Sequence, residues 1–380
     1  MSFRENRTDY NPLKKENGVK RKRILFTLGS LEEGGAERVV INLLRHLDRS
    51  KFELHLAVVH YFGFFIEALP EDIIIHDLKA RRVRKSFLPF IRLFRRLKPD
   101  VIFSTLGYLN LAVILLKPVI PHHTRIIVRE TSVATENLRD VPYSRLWKWL
   151  YRGLYNRADN IVCLCDWMSQ DLIEHFGVDP KRIIRIFNPV DMEEVRLLAD
   201  QGENPFSSYG EGPHLVAVGR LVSAKGFDRL IRAFQTLSAR KPKARLWILG
   251  KGELENQLKE LINGLDLKEK VFLAGFQKNP FLWLKHADLF VLSSLFEGLP
   301  NTLLEALACD CPVVALRHSG GTEEMLGMLG LDDRFVDSLD SWPEAWWERP
   351  LYKISDLLIN NFGRVKITKE YENLFLRVSK

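Results

Sequence analysis

Short unbroken apolar runs alternate along the chain with longer segments in which apolar residues recur at helical spacing. Unbroken runs of this kind suit strands buried on both faces of a parallel sheet. They predict strands at 24–28, 54–59, 73–78, 101–104, 125–128, 161–165 and 183–186, and a second series at 214–218, 245–249, 271–274, 289–292 and 313–316. Helices are predicted between them, for example at 36–47, 228–238, 254–262 and 302–308, and a last amphipathic helix at 364–378. Strand–helix alternation run through twice predicts an α/β fold of two doubly wound parallel-sheet domains facing a cleft. Asn188-Pro189-Val190-Asp191 closes the first series, and the polar, Gly/Pro-rich stretch 201–213 marks the boundary. The expected division is a flexible basic arm at 1–20, a first domain at 21–195, a second at 205–350 and a C-terminal helical segment at 351–380.

Composition adds limits. A length of 380 residues exceeds the usual single-domain range, and 46% hydrophobic residues suffice for two cores. No uninterrupted apolar run is long enough for a transmembrane helix, and the polar start lacks the apolar stretch of a secretory signal. A cytoplasmic protein is expected, with peripheral contact to the cytoplasmic membrane face open to it. Cys163/Cys165 and Cys309/Cys311 are read as C-x-C pairs on strands, both thiols turned into the core, and not as zinc ligands or disulfides. The net charge of +8 favours acidic partners such as phosphates or an anionic membrane. The cations are scattered along helices with no aromatic-basic motif, so nucleic acid is not an expected partner.

Three loops carry candidate chemistry. Gly29-Ser30-Leu31-Glu32-Glu33-Gly34-Gly35-Ala36-Glu37 joins the first predicted strand to the first helix, where Gly34 and Gly35 let backbone approach a ligand. It is not the G-x-G-x-x-G of a dinucleotide site. Arg220 and Lys225 stand on the loop 219–226 after the second domain's first strand and could clamp a diphosphate. Taken alone, a solvated loop fits nearly as well. The third loop, Phe296-Glu297-Gly298-Leu299-Pro300-Asn301-Thr302, runs into a helix carrying Glu305. Pro300 suits a helix start. An anion could dock at the helix end between the two acids, with a hydroxyl-bearing group at each side. Taken alone, Glu305 is better read as a residue of a solvated helix face.

With these residues in place, the chain resembles the retaining glycosyltransferases of family 4, which have the GT-B fold. Glu297 and Glu305 match the family's E-x7-E signature. Gly34-Gly35-Ala36-Glu37 looks like its glycine loop, Gly219-Arg220 with Lys225-Gly226 like its phosphate loop, and 249–252 with 275–280 like its loops around the base. The resemblance implies a sugar transferred with retention from a nucleotide-diphosphate donor, a UDP-sugar above all, to a glycan or lipid-linked acceptor. It assigns the first domain to the acceptor and the second to the donor. It implies that Arg220 and Lys225 hold the diphosphate, Glu297 the donor sugar and Glu305 the ribose. Gly298, Leu299, Pro300, Asn301 and Thr302 line the helix end, and Phe276 and Gln277 lie near the base. No D-x-D pair stands at a strand end, so no metal and no separate cofactor are expected. Arg129-Glu130-Thr131 stands where many members have a histidine, so none is carried over, and His122 and His123 read as loop residues. Rival readings are a nucleotide-sugar epimerase, a phosphorylase-like enzyme of the same architecture, or a basic nucleic-acid-binding protein.

Two further segments bear on partners. Residues 86–98, preceded by Arg81, Arg82, Arg84 and Lys85, alternate apolar and cationic faces, which suits either a packed helix or an anionic membrane surface. The aromatic cluster Trp342, Trp346 and Trp347 is expected to pack the last helix onto the first domain, or to meet an acceptor or membrane.

Overall fold

The computed structural model describes residues 21–32, 34–347 and 353–378. The arm expected at 1–20 and the start of the segment at 351–380 lie outside the described residues. Seven strands form the first sheet: β1 Lys22–Leu28, β2 Phe52–Val58, β3 Ile74–Asp77, β4 Val101–Thr105, β5 Arg125–Arg129, β6 Asn160–Cys163 and β7 Ile183–Arg185. Their order is β3-β2-β1-β4-β5-β6-β7, all parallel. The helices are α1 Gly35–His46, α2 Phe87–Leu97, α3 Gly107–Leu115, α4 Ala134–Asn137, α5 Ser144–Leu154 and α6 Asp166–Phe176. α7 Met192–Ala199 follows.

The second sheet combines β8 His214–Val218, β9 Arg245–Leu249, β10 Val271–Gly275, β11 Leu289–Leu292, β13 Val313–Leu316 and β15 Phe335–Val336, in the order β10-β9-β8-β11-β13-β15. A short parallel pair joins β12 Phe296–Glu297 to β14 Ser319–Gly320. Around these lie α8 Phe227–Arg240, α9 Glu255–Gly264, α10 Pro280–His286, α11 Asn301–Ala308 and α12 Thr322–Met328. α13 Lys353–Phe362 and α14 Arg364–Val378 end the chain. The architecture is thus α/β, with two doubly wound parallel sheets.

Strand order reverses beside the first strand of each sheet, between β1 and β4 and between β8 and β11. Open α/β sheets bind ligands outside the carboxyl ends of the strands at such switch points. The described parts of the loop after β1, 29–32 and Gly34, and the loops at 106–107, 219–226 and 293–300 all sit there, so topology gathers the three candidate loops at one cleft.

The chain returns to the first domain at its end. Gly363 pairs with Val190, and Val190 N–H donates to Phe362 O at 2.8 Å, so the two crossing segments run side by side. α14 then lays Tyr371 and Phe375 on Phe26, Phe52 and Phe103 of the first sheet.

Several expectations need correction. Of the basic residues just after the expected arm, Lys22 opens β1 and Arg23 pairs with Glu53 at 2.9 Å. Cys165 caps α6, Cys309 follows α11 and Cys311 precedes β13, so only Cys163 is a strand residue, although all four thiols are buried. The tryptophan cluster packs neither on the first domain nor outward. Trp342 and Trp346 fill the second domain's core, and Trp342 Nε1–H donates to Ala233 O of α8 at 3.3 Å. α2 spends its apolar face on the core, with Phe90, Leu93 and Phe94 buried. That face is not available to a membrane.

Candidate active site

The second domain's wall of the cleft centres on Glu297. β12 holds it beside β14, where Gly320 has φ +127° and a Cβ would collide with Glu297 O, so only glycine fits this contact. The Glu297 carboxylate accepts from Lys225 Nζ at 2.5 Å and from Ser294 Oγ at 2.6 Å. Burial alone would raise this carboxyl, but the Lys225 ammonium outweighs it, aided by Ser294, and the net direction is down. Glu297 is therefore an ionised carboxylate at neutral pH. His318, also beside it, is pushed down by burial, which favours the neutral ring and outweighs the opposing bond to Leu316 O; its other ring nitrogen lies 2.8 Å from Thr322 Oγ1.

Lys225 reaches Glu297 because its loop is tied to the one after β11. Ser293 Oγ donates to Lys225 O at 2.9 Å, and Leu295 N–H donates to Ala224 O at 2.8 Å. Gly226, at φ +58°, caps α8 where a Cβ would strike Ser293 O. Arg220 stays exposed at the end of β8, and its charge reaches Glu37 across the cleft.

The first domain's wall meets this one at close range. Gly298 lies so near Thr131 that a Cβ would sit 2.5 Å from its carbonyl oxygen. Leu299 and Pro300 are buried, and Pro300 is the N-cap of α11, whose amino end therefore opens at the cleft. Asn188 Nδ2 donates to Asn301 Oδ1 at 2.7 Å and to Leu299 O at 3.3 Å. Asn188 in turn accepts from Arg129 Nη2 at 2.5 Å. Asn301 Nδ2 donates to Gly35 O at 3.3 Å, and a Cβ on Gly35 would press on that amide. The amino ends of α1 and α11 thus converge, and Gly34 is the N-cap of α1. Thr302 is half-buried in the first turn of α11.

Glu305 is not on a solvated helix face. It is buried, and its carboxylate is taken by the guanidinium of Arg38 from α1. Burial raises the carboxyl and Arg38 opposes this, with a net upward direction. Farther out, Phe276 meets Phe64 of the first domain edge-on at 5.4 Å, and Gln277 Nε2 donates to Ala274 O at 2.7 Å.

Behind the first wall lies a sealed cluster. Glu130 is buried and accepts from Tyr155 Oη and from Asn110 Nδ2, the latter at 3.1 Å. Desolvation dominates here and lifts its carboxyl to about 7. Tyr151 stacks on Tyr155 at 4.2 Å, and Gly107 leaves room for the Tyr151 hydroxyl. His122 and His123 lie between α3 and β5, at the opposite edge of the sheet, where His123 faces Lys98 O.

The structure therefore brings Glu297, Lys225, Gly298, Leu299, Pro300 and Asn301 together with Gly34 and Gly35. It sets Arg220 at the rim and Phe276 and Gln277 farther along. Sequence reasoning missed Ser294, His318, Asn188 and Arg38. His318 carried a signal, since it precedes the double glycine after a buried strand. Asn188 had one too, before the proline that closes the first strand series. Arg38 had none.

Comparison with known proteins agrees with this arrangement. The family model "Glycosyl transferases group 1" matches residues 201–336, and "Glycosyltransferase Family 4" matches residues 33–194. The N-acetylgalactosamine-N,N'-diacetylbacillosaminyl-diphospho-undecaprenol 4-alpha-N-acetylgalactosaminyltransferase of Campylobacter jejuni is 33% identical over 82% of this chain and 83% of that enzyme. The UDP-Gal:alpha-D-GlcNAc-diphosphoundecaprenol alpha-1,3-galactosyltransferase of Escherichia coli is 24% identical over 75% of this chain and 77% of its own length. Anabaena HepE, solved with UDP and glucose, superposes with a TM-score of 0.76 at 17% identity, covering 94% of this chain and all of HepE. With its E-x7-E loop at the switch point of the second sheet, the chain belongs to glycosyltransferase family 4 of the group 1 transferases and is a GT-B glycosyltransferase.

Proposed function

We propose that this enzyme moves a hexose or HexNAc from a UDP-sugar to a lipid-linked glycan, with retention at the anomeric carbon, in the synthesis of a cell-surface polysaccharide or glycoconjugate. The observation that carries the reading is the ionised Glu297 held by Lys225 and Ser294 beside the amino end of α11. An ionised carboxylate can accept hydrogen bonds from sugar hydroxyls but opposes a phosphate, so the sugar belongs at Glu297 and the diphosphate toward the helix end. Arg220, Lys225 and the convergent helix ends would stabilise the charge that develops on the leaving diphosphate. No metal is required in this scheme. Among the described residues, no three His, Cys, Asp or Glu side chains gather as metal ligands.

Glu305 would hold the ribose hydroxyls by sharing its carboxylate with Arg38 or releasing it. Phe276 and Gln277 would lie beside the base. The first domain would take the acceptor, because its loops close the cleft over Gly298. The enzymes of Campylobacter jejuni and Escherichia coli name diphosphate-linked undecaprenol acceptors, which supports a lipid-linked one here. Among the described residues no helix is long and apolar enough to cross a membrane, so such an acceptor would be met from the side.

Titration calorimetry with UDP- and GDP-sugars tests the donor. Binding of a UDP-sugar in the presence of EDTA is expected, and binding that needs a divalent metal or is confined to GDP-sugars overturns that part. NMR of the product should show the donor's anomeric configuration, and an inverted product overturns retention.

A further inference from the structure

α5 is built like a membrane-surface helix. Its inner side is satisfied by Trp147, Leu150, Tyr151 and Leu154, spaced to share one face against the core. Its outer side carries a second apolar stripe that packing does not use. Tyr143 is 82% exposed, Leu146 54% and Trp149 68%. Large apolar side chains exposed in a row mark contact sites more often than single ones do. Arg145, Lys148 and Arg152 run alongside this stripe, and α5 contains no Asp or Glu. The nearest acid in sequence, exposed Asp140, lies ahead of the helix, and Glu136 before it is paired with Arg139 at 3.5 Å. Exposed Arg81, Arg82, Arg84 and Lys85 stand on and just before a 3-10 turn that packs on α3, which also packs on α5, so they add positive charge to the same region of the first domain.

We infer that the outer stripe of α5 docks the enzyme on an anionic lipid bilayer. Aromatic and aliphatic side chains would enter the headgroup–acyl boundary while the flanking cations meet lipid phosphates. A protein surface pairing with this excess of cations would have to be strongly acidic, whereas a bilayer offers apolar depth and negative charge together. The place fits as well. A crossover helix runs antiparallel to the strands of its sheet, so the start of α5, with Tyr143, lies at the carboxyl edge that forms the cleft. Tyr151 on the same helix touches Gly107 at that edge. Docking there would set the cleft mouth over the membrane. This inference rests on the lipid-linked acceptor proposed above, and it moves the membrane contact from α2 to α5.

Flotation of the full chain with phosphatidylcholine vesicles, with and without phosphatidylglycerol, tests it. The chain should float only with the anionic vesicles, and less as salt rises. The double variant Leu146→Ser/Trp149→Ser should bind at least about tenfold more weakly. Arg145→Glu/Lys148→Glu should abolish flotation, and Leu88→Ser on α2 should have little effect. Each variant is checked by circular dichroism and by transfer to a short-chain, water-soluble acceptor, which should persist because α5 does not touch the donor site. Full flotation of Leu146→Ser/Trp149→Ser, or no flotation of the unaltered chain, overturns the inference while leaving the transferase reading intact. A variant that loses a dimer seen in solution, with flotation unchanged, assigns the stripe to a second copy and also overturns it. Loss of all transfer in the unaltered chain, with flotation retained, counts against the proposed reaction and not against the docking surface.

Discussion

Two acids close to the cleft, Glu297 and Glu130, are both withdrawn from water, yet their environments drive them in opposite directions. Glu297 faces an ammonium 2.5 Å away and is held ionised. Glu130 faces phenols and an amide, and desolvation lifts it to about 7. The difference shows that burial alone does not set the charge of a carboxylate; the formal charge of its partner decides. It also separates the two walls by task. The second domain presents charge that is already oriented, which suits catalysis by electrostatic preorganisation. The first domain presents a nearly neutral, sealed support beneath Thr131, which suits a wall that must only fit and hold. No histidine is needed to explain that support, because Glu130 is tied to α5 and α3.

The sharpest way to break the contrast is to remove the charged acid. Glu297→Ala should cost transfer about a thousandfold, since it deletes both a sugar-binding carboxylate and the partner that orients Lys225. Circular dichroism should report an intact fold, and near-normal turnover would end the assignment.

The neutral acid should matter most for stability, and through pH. The folded-state value of Glu130 lies above its ordinary 4.5, so its contribution is fully present below that value and lost as pH rises through about 7. The full swing is roughly 3 kcal/mol. Glu130→Gln should flatten the dependence of urea-unfolding stability over that window. An unchanged slope would show that Glu130 is ionised like Glu297 and that the walls do not differ as described.

The smallest effect should come from the ion pair that ties the walls together. Arg38→Ala frees Glu305, but the guanidinium is 43% exposed and solvent screens the pair. A loss of about 1 kcal/mol from the closed arrangement is expected. X-ray scattering should show a larger radius of gyration, and UDP affinity should shift because Glu305 is released. Identical scattering and identical affinity would show that Arg38 does not link the walls.

Much of this site was legible in the sequence. Loops that follow buried strands at the head of each series had to lie at a carboxyl edge, and that placed Glu297, Lys225 and Gly35 near one another. The pairings that give those residues their chemistry were not legible. Glu305 and Arg38 are 267 positions apart, and Asn188 and Asn301 are 113 apart. Periodicity carries no information over such separations. The same limit explains the two basic helices. α2 and α5 both alternate apolar and cationic faces, yet α2 buries its apolar face while α5 keeps a second one in solvent. A helical pattern states that a face is apolar but not what covers it. Trp342 and Trp346 make the point again, since their partner is α8 of their own domain.

The sequence by itself determined the two series of strands, the doubly wound class and the loops able to carry phosphate and sugar chemistry. These follow from local rules: unbroken apolar runs, glycines at tight turns and proline at a helix start. Only the tertiary structure decided the charge state of Glu297 and Glu130, the capture of Glu305 by Arg38 and the exposure of Trp149. Each of these depends on which distant group comes within a few ångströms and how much water it displaces, and packing alone sets that.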